Sequence, residues 1–140
     1  MAYWLLKSEP SAWSWQDQKK AGAKGTAWDG VRNHLAKKHL MAMKKGDRAF
    51  FYHSGENKEI VGIAEIAGEY RADPSDKTGA FGLVDVRAVA DLAKPVSLAD
   101  CRAQPRLKKM VLLNNSRLSV QPVTEAEWNV VLSLSNTKHS

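Results

Sequence analysis

Cysteine is nearly absent from this sequence, since Cys101 is the single one among 140 residues. One thiol cannot form an intramolecular disulfide or a cysteine-rich zinc site. The four histidines (His34, His39, His53 and His139) also lack the spacing of metal ligands. We therefore expect neither a metal ion nor any other cofactor.

Long hydrophobic runs are missing as well. No apolar stretch approaches the ~18 residues of a membrane span, and residues 1–7 are too short and aromatic for a signal peptide. Hydrophobic residues make up 44% and charged residues 26% of the chain, which excludes a collagenous or disordered protein. These features predict a soluble, cytoplasmic protein with no membrane partner, folded as a single domain over residues 1–140.

Common catalytic motifs are also lacking. The chain contains no G-x-S-x-G, no Walker A lysine and no H-E-x-x-H. His53 and Ser54 resemble a base and a nucleophile, but adjacent residues of a strand project to opposite faces. Lys7 and Glu9 share a strand face, where a surface ion pair explains them better than acid–base catalysis. We expect no catalytic residues.

Positive charge is in excess and unevenly distributed. Lys and Arg number 21 against 15 acidic residues, which gives a net charge of +6 and a pI near 9.5. Residues 1–50 carry 10 basic and 4 acidic side chains, residues 51–100 carry 5 and 9, and residues 101–140 carry 6 and 2. If the two basic ends converge, one face attracts phosphates. A solvated lysine-rich surface is the alternative.

Hydrophobic periodicity predicts short strands interleaved with short helices. The strands are expected at residues 3–7, 48–54, 60–67, 83–89 and 117–120. Helix starts are expected at four N-cap residues: Ser14, Asn33, Ser97 and Thr124. On the helix after Asn33, one face is predicted to be buried: Leu35, Ala36, His39, Leu40 and Met43. This order indicates an α+β fold, as in a small mixed barrel.

Four of the five tryptophans fall within the first 28 residues. Trp4 on a strand and Trp128 on a helix face are expected in the core. Trp28 follows Gly25 and precedes Asp29-Gly30, which places it in a loop beside a basic segment. Such a tryptophan either stacks on a nucleobase, which is worth ~1–3 kcal/mol, or folds back over the core. Both interpretations are open.

Three polar residues near these tryptophans have two interpretations each. Ser8 contacts the edge of a base or forms a turn. Asn33 reads a base edge through its amide or caps the following helix. Arg32 meets a phosphate or pairs with Asp29.

Taken together, five segments resemble the EVE domain: YWLLKSEP at residues 3–10, WDGVRN at 28–33, FYHS at 51–54, IVGIAE at 60–65 and RLSVQPVT at 117–124. The resemblance covers nearly the whole chain in order. It implies a PUA-like fold, a mixed β pseudo-barrel with short flanking helices. It also implies kinship with YTH domains, in which a lysine-serine pair and a cage tryptophan match Lys7-Ser8 and Trp28.

The resemblance further implies a function. EVE domains are thought to hold a modified base, modified cytosine in DNA for some members, and no catalytic activity is established for them. This sequence departs from the family pattern at Lys37, where an arginine is usual, at Lys38, where an asparagine is usual, and at Phe81, where a tryptophan is usual.

The leading hypothesis is a non-catalytic, monomeric module that binds DNA or RNA carrying a modified base. Trp28 is the predicted stacking wall. The remaining predicted base-pocket residues are Ser8, Asn33, Tyr52, His53 and Ser54, with Tyr52 and Ser54 as the floor. The residues predicted to bind the phosphates of the nucleic-acid backbone are Lys7, Arg32, Lys37 and Arg117. The alternatives are a PUA-like enzyme acting on a modified nucleoside and a protein-interaction module with a vestigial pocket.

Overall fold

A computed structural model describes residues 1–138 and divides them into six strands and five short helices. In chain order the elements are β1 (Tyr3–Ser8), α1 (Trp15–Lys20), β2 (Thr26–Ala27), α2 (His34–Ala42), β3 (Arg48–His53), β4 (Glu59–Ala72), β5 (Gly82–Ser97), α3 (Leu98–Arg102), α4 (Val111–Asn114), β6 (Val120–Val123) and α5 (Glu125–Leu134). Single 3₁₀ turns lie at Gly22–Lys24 and Pro105–Leu107. The predicted α+β class is confirmed.

Four of the five helices described within residues 1–138 begin at the predicted cap residues, whereas α4 follows Met110, which has no capping side chain, and was not predicted. Ser14, Ser97 and Thr124 each accept a hydrogen bond from the backbone amide three residues later, and the carboxylate at that position accepts one from the backbone amide of the cap residue. Asn33 caps α2, because its Oδ1 accepts from the Ala36 amide at 2.9 Å. These motifs act within one turn, so the sequence alone locates the helix starts.

All six strands belong to one mixed sheet with the order β2-β5-β4-β3-β1-β6. β1 and β3 run parallel, whereas every other pair of neighbours is antiparallel. β2 and β6 are therefore the two edges. The sheet coils until these edges approach each other, since Thr26–Ala27 and Ser119, the residue before β6, line the same cavity. The result is the expected pseudo-barrel with an open seam between its edges.

Two hydrophobic clusters cover the two faces of the sheet. The inner cluster includes Trp4 and Phe51 and packs against α2, while the outer cluster includes Phe50 and packs against α3, α4 and α5. Trp128 of α5 stacks on Phe50 with 3.8 Å between ring centroids, and on Tyr3 with 4.5 Å. The predicted burial of Trp4 and Trp128 is confirmed, and the single domain over residues 1–140 stays a prediction.

Two predicted details are wrong. Leu35 is 45% exposed; the buried stripe of α2 runs through Ala36 and Leu40, and Leu35 is rotated about 100° away from Ala36. The last strand is β6 rather than residues 117–120. Pro122 is accommodated there because β6 is an edge strand.

β4 and β5 extend well beyond the predicted strands, to 14 and 16 residues. Their added halves are largely exposed and carry Gly, Lys and Pro, which hide the alternation that predicts a strand. Within residues 1–138, no helix is both long enough and apolar enough to cross a membrane.

Candidate functional site

A cavity of about 620 Å³ opens at the seam between the two sheet edges. Its lining comes from residues 7–9 and 12–13 on one side, residues 26–32 on the other, and Ser119 beside β6. Four of the predicted site residues meet here: Lys7, Ser8, Trp28 and Arg32. The fold thus brings together segments that the sequence separates by more than 80 residues.

Trp28 forms part of the cavity wall. Its backbone amide donates to the Val84 carbonyl at 2.8 Å, which fixes the chain just after β2. The indole meets the Phe51 ring edge-on, with 5.6 Å between centroids and 87° between planes. Trp28 is 9% exposed and belongs to the inner cluster as well as to the cavity. The two interpretations of Trp28 are therefore compatible.

Trp13 is a second aromatic residue of the cavity that sequence reasoning missed. Its indole Nε1 donates to the Gln18 side-chain oxygen at 2.9 Å, and the fully buried Gln18 amide donates to the Val86 carbonyl at 3.0 Å. These contacts hold a half-buried indole in one orientation. The concentration of tryptophans near residue 13 is the signal that points to it.

Ser8 closes the turn after β1 and also lines the cavity. Its hydroxyl donates to the Trp13 carbonyl, and its own carbonyl accepts from the Ser54 amide at 2.9 Å. A hydroxyl that donates one hydrogen bond keeps lone pairs that accept others. Ser8 is thus both a turn residue and an acceptor facing the cavity.

Asp73 anchors the wall that carries Trp28, although the sequence places Asp73 only in a loop. Its buried carboxylate accepts from the Gly30 amide at 2.9 Å, from Arg32 Nη1 at 3.1 Å and from the Ser75 hydroxyl at 2.6 Å. Gly30 has φ of 78°, a conformation that favours glycine. Asp73 therefore determines the path of residues 28–32.

The same contacts control the charge of Asp73. Burial alone raises the pKa of its carboxyl, but hydrogen bonds from Ser75 and Gly30 and the Arg32 guanidinium outweigh burial and hold this pKa well below its ordinary value. The ion-pair partner of Arg32 is thus Asp73, which corrects the expected pairing with Asp29. Arg32 stays 39% exposed at the cavity rim.

Lys7 reaches across to the segment before β6. Its Nζ donates to the Ser116 carbonyl at 2.7 Å and lies 5.7 Å from the Tyr52 ring centroid. Partial burial lowers the pKa of this ammonium group. The Glu9 carboxylate instead accepts from the Ser11 amide at 2.9 Å, so the two groups considered as an acid–base pair have different partners.

The other predicted pocket residues lie outside the cavity lining. Tyr52 faces the outer cluster because Phe51 occupies the inner face of β3, which corrects the expectation that Tyr52 forms the floor. His53 Nε2 accepts from the Trp15 amide at 2.9 Å, and burial lowers the pKa of His53. Ser54 contributes its backbone amide to Ser8. Asn33 is exposed, and its Oδ1 accepts the hydrogen bond that caps α2.

The predicted phosphate contacts Lys37 and Arg117 lie beyond the cavity lining too. Lys37 Nζ lies 6.0 Å from the centroid of the Phe81 ring, and the Arg32 guanidinium lies 5.7 Å from it. The His34 ring lies 5.0 Å from the same centroid. Arg117 is exposed in the segment before β6. Across residues 1–138, no group of three or more His, Cys, Asp or Glu side chains is arranged to hold a metal ion.

A mixed sheet coiled into a pseudo-barrel, with a cavity at its seam, defines a domain of the PUA-like class. The fold resembles the YTH domain of Zygosaccharomyces rouxii MRB1 protein in complex with N6-methyladenosine RNA, with a TM-score of 0.59, 18% identity and coverage of 99% of this chain and 87% of that chain. Within this class the chain belongs to the EVE domain family, whose model matches residues 2–134.

Similar proteins come from bacteria and animals. A solution structure of a Rhodopseudomonas palustris protein is 56% identical with a TM-score of 0.94, covering 99% of this chain and 97% of that one. Human thymocyte nuclear protein 1 is 34% identical over 99% of this chain and 76% of its own length. The structure of human THYN1 protein in complex with 5-methylcytosine-containing DNA is 35% identical, with a TM-score of 0.89 and coverage of 99% and 100%.

Proposed function

We propose that this protein is a non-catalytic reader that takes one modified base of DNA, of the 5-methylcytosine class, into the cavity at the sheet seam. The observation that carries the proposal is the cavity itself, in which Trp13 and Trp28 stand as aromatic walls beside the Ser8 hydroxyl. Support comes from the human relative, which is similar over the whole chain and is in complex with 5-methylcytosine-containing DNA.

The cavity suits a flipped base in size and chemistry. Its volume of about 620 Å³ lies within the ~300–1,000 Å³ typical of small-molecule pockets. Extruding a base from a duplex costs a few kcal/mol of stacking and pairing. Stacking on Trp28 and Trp13 offsets that cost, and the Ser8 oxygen accepts from the exocyclic amino group of cytosine.

Phosphates on either side of the flipped base would meet cations at the rim. Lys7 and Arg32 line the cavity itself, while Lys37 and Arg117 extend the positive surface away from it. Internal hydrogen bonds hold both Lys7 and Arg32 in place. The monomeric state and the cytoplasmic location stay predictions of the sequence.

The experiment that tests this function is a binding screen with fluorescent oligonucleotides that are identical except for one base. The bases are cytosine, 5-methylcytosine, adenine and N6-methyladenine, each measured at two salt concentrations. We expect the highest affinity for 5-methylcytosine and complete recovery of the unchanged oligonucleotide by mass spectrometry. Equal affinity for all four bases would contradict the proposal, and a chemically altered base would instead identify the enzyme alternative.

Lys37→Ala is expected to lower affinity for every oligonucleotide by the same factor. Lys37 lies on α2 outside the cavity lining, so it contributes charge rather than base recognition. Removing one phosphate contact makes the plot of log affinity against log salt shallower by about one unit. Titrations at several salt concentrations measure this slope.

Lys94→Ala is the matched control, because it removes one exposed positive charge from β5, where the backbone contacts the end of α5. Its salt slope should equal that of the wild type. A Lys37 variant that loses preference for the modified base while keeping its salt slope would show that the assignment to a phosphate is incorrect.

A further inference from the structure

Two long segments of the chain contain no acidic residue. Residues 30–46 and residues 101–124 each carry five lysines and arginines and no Asp or Glu. In the second segment these cations are Arg102, Arg106, Lys108, Lys109 and Arg117, and all of them are exposed. Charge of one sign over more than twenty residues produces a local positive potential that attracts polyanions.

The fold leaves this charge uncompensated. Ion pairs within residues 1–138 include Lys19–Asp91, Arg32–Asp73, Arg71–Asp85 and Arg87–Glu65. All four involve residues of the long strands β4 and β5 or Asp73, which directly follows β4. None involves a cation of residues 101–124. The positive charge of that segment is therefore available to a partner.

The exposed lysines of the second segment stand on a rigid base. Leu107 and Met110 are fully buried in the outer cluster and flank Lys108 and Lys109. The Asn114 side chain donates to the Lys108 carbonyl at 2.9 Å and to the Met110 carbonyl at 2.8 Å. The backbone is thereby fixed between two anchors, and both lysine side chains are exposed. We refer to residues 106–117 as the basic ridge.

The basic ridge and residues 30–32, where the first acid-free segment begins, approach the cavity from different edges of the sheet. The ridge leads into Ser119 and β6, which is one edge of the sheet, whereas residues 30–32 follow β2, which is the other edge. The rest of that segment crosses over as α2, which packs against β6. Lys7 connects the cavity to the ridge through its hydrogen bond to the Ser116 carbonyl. The seam cavity is thus bordered by positive charge at both edges.

We propose that the ligand is a DNA double helix and that the basic ridge binds the phosphates of the strand opposite the flipped base. This proposal rests on the proposed function, which assigns the cavity and its rim cations, Lys7 and Arg32, to the strand that donates the base. Lys108 and Lys109 lie outside the cavity lining and are linked to it through Asn114, which donates to the Lys108 carbonyl, and Ser116, which accepts from Lys7. A duplex supplies a second line of phosphates there, with one charge per ~1.7 Å of helix axis, whereas a single strand does not.

The test compares the double variant Lys108→Ala/Lys109→Ala with wild-type protein on three probes. The probes are a duplex with one 5-methylcytosine, the same methylated strand alone, and the unmethylated duplex. On both duplexes we expect a salt slope shallower by about two units and an affinity lower by about tenfold at ~0.1 M salt. On the single strand we expect affinity within about twofold of wild type.

The matched control is Lys94→Ala/Lys138→Ala, which removes two exposed positive charges near the end of α5. It should behave as wild type on all three probes. An equal loss on the single strand and the duplex would overturn the proposal, because the ridge would then contact the strand that carries the base. An unchanged duplex slope would overturn it as well.

Failure of the proposed function has a different signature. If wild-type protein bound the methylated and unmethylated probes equally, base reading would be absent. The ridge variant would still show its shallower slope on both duplexes, because phosphate contacts do not depend on base identity. A thermal melt of each variant confirms that it is folded.

Discussion

Trp28→Ala is expected to abolish the preference for the modified base and to lower the free energy of unfolding by roughly 3–5 kcal/mol. The first effect follows from losing a stacking face worth ~1–3 kcal/mol per base. The second follows from the position of Trp28 in the inner cluster against Phe51, because removing a buried indole leaves a cavity. Affinity for methylated and plain oligonucleotides and a denaturant titration measure the two effects separately.

Two further variants separate stacking from stability. Trp28→Leu fills part of the space left by the indole but has no aromatic face, so we expect a smaller loss of stability with the same loss of base preference. Trp128→Leu is the matched control, since Trp128 is also buried but stacks on Phe50 in the outer cluster. It should lose stability and keep its base preference. A Trp28→Leu protein that retained full preference would refute the stacking assignment.

The parts of the fold that could be predicted are those that short-range interactions determine. Ser14, Asn33, Ser97 and Thr124 locate helix starts because each cap bonds to an amide within one turn. Leu35 shows what hydrophobic periodicity cannot predict. The periodicity places Leu35 near the buried face of α2, but it does not determine how wide the buried stripe of the helix is. Exposure at that edge depends on what packs against the helix.

Sheet closure could not be derived from periodicity. β2 has two residues and pairs with β5, far along the chain, and no alternation can reveal a strand that short. The parallel pairing of β1 with β3 is equally non-local. The order of the short strands and helices indicated a small mixed barrel, and the family resemblance identified it as a PUA-like pseudo-barrel; neither gave the pairing that closes it.

Some residues of the candidate site could be found from local sequence signals, whereas others depend on tertiary contacts. Ser8 stands before a proline signal that ends a strand, Trp28 stands among glycine signals that place it in a loop, and both line the cavity. Tyr52 lies one residue after Phe51, and alternation along the strand does not say which face is the cavity side. Asp73 lies 43 residues from Gly30, so its role depends on tertiary contact alone. Residues that position a site are the hardest to find in a sequence.

Asp73→Asn is expected to lower the free energy of unfolding by about 3 kcal/mol at neutral pH and to weaken the preference for the modified base. Its carboxylate accepts four hydrogen bonds, from Gly30, from Arg32, and from the amide and hydroxyl of Ser75. An amide offers fewer lone pairs and turns an N–H towards some of these donors, which leaves a buried donor or the Arg32 charge poorly satisfied. Residues 28–32 then lose their fixed path, and Trp28 loses its orientation.

Acidification tests the same contacts without a mutation. The pKa of Asp73 in the folded protein lies below its ordinary value of ~3.9. The stabilisation that the ionised Asp73 carboxylate provides is therefore fully present above the ordinary pKa, and it is lost as the pH falls from there towards the lower pKa of the folded protein. The difference in stability between wild type and Asp73→Asn should therefore be constant above about pH 5 and shrink below about pH 4. Denaturant titrations across this range measure it.

Asp76→Asn is the matched control in the same loop. The Asp76 carboxylate accepts from the Phe81 amide at 2.7 Å and from Thr78, and none of these hydrogen bonds reaches residues 28–32. The pKa of Asp76 is also lowered, first by its hydrogen bond from Thr78 and least by the Arg32 charge, so this variant reports the acid sensitivity of the loop without the hydrogen bonds to Gly30 and Arg32. It should keep the preference for the modified base. Loss of that preference in Asp76→Asn but not in Asp73→Asn would show that Asp73 does not position the Trp28 wall.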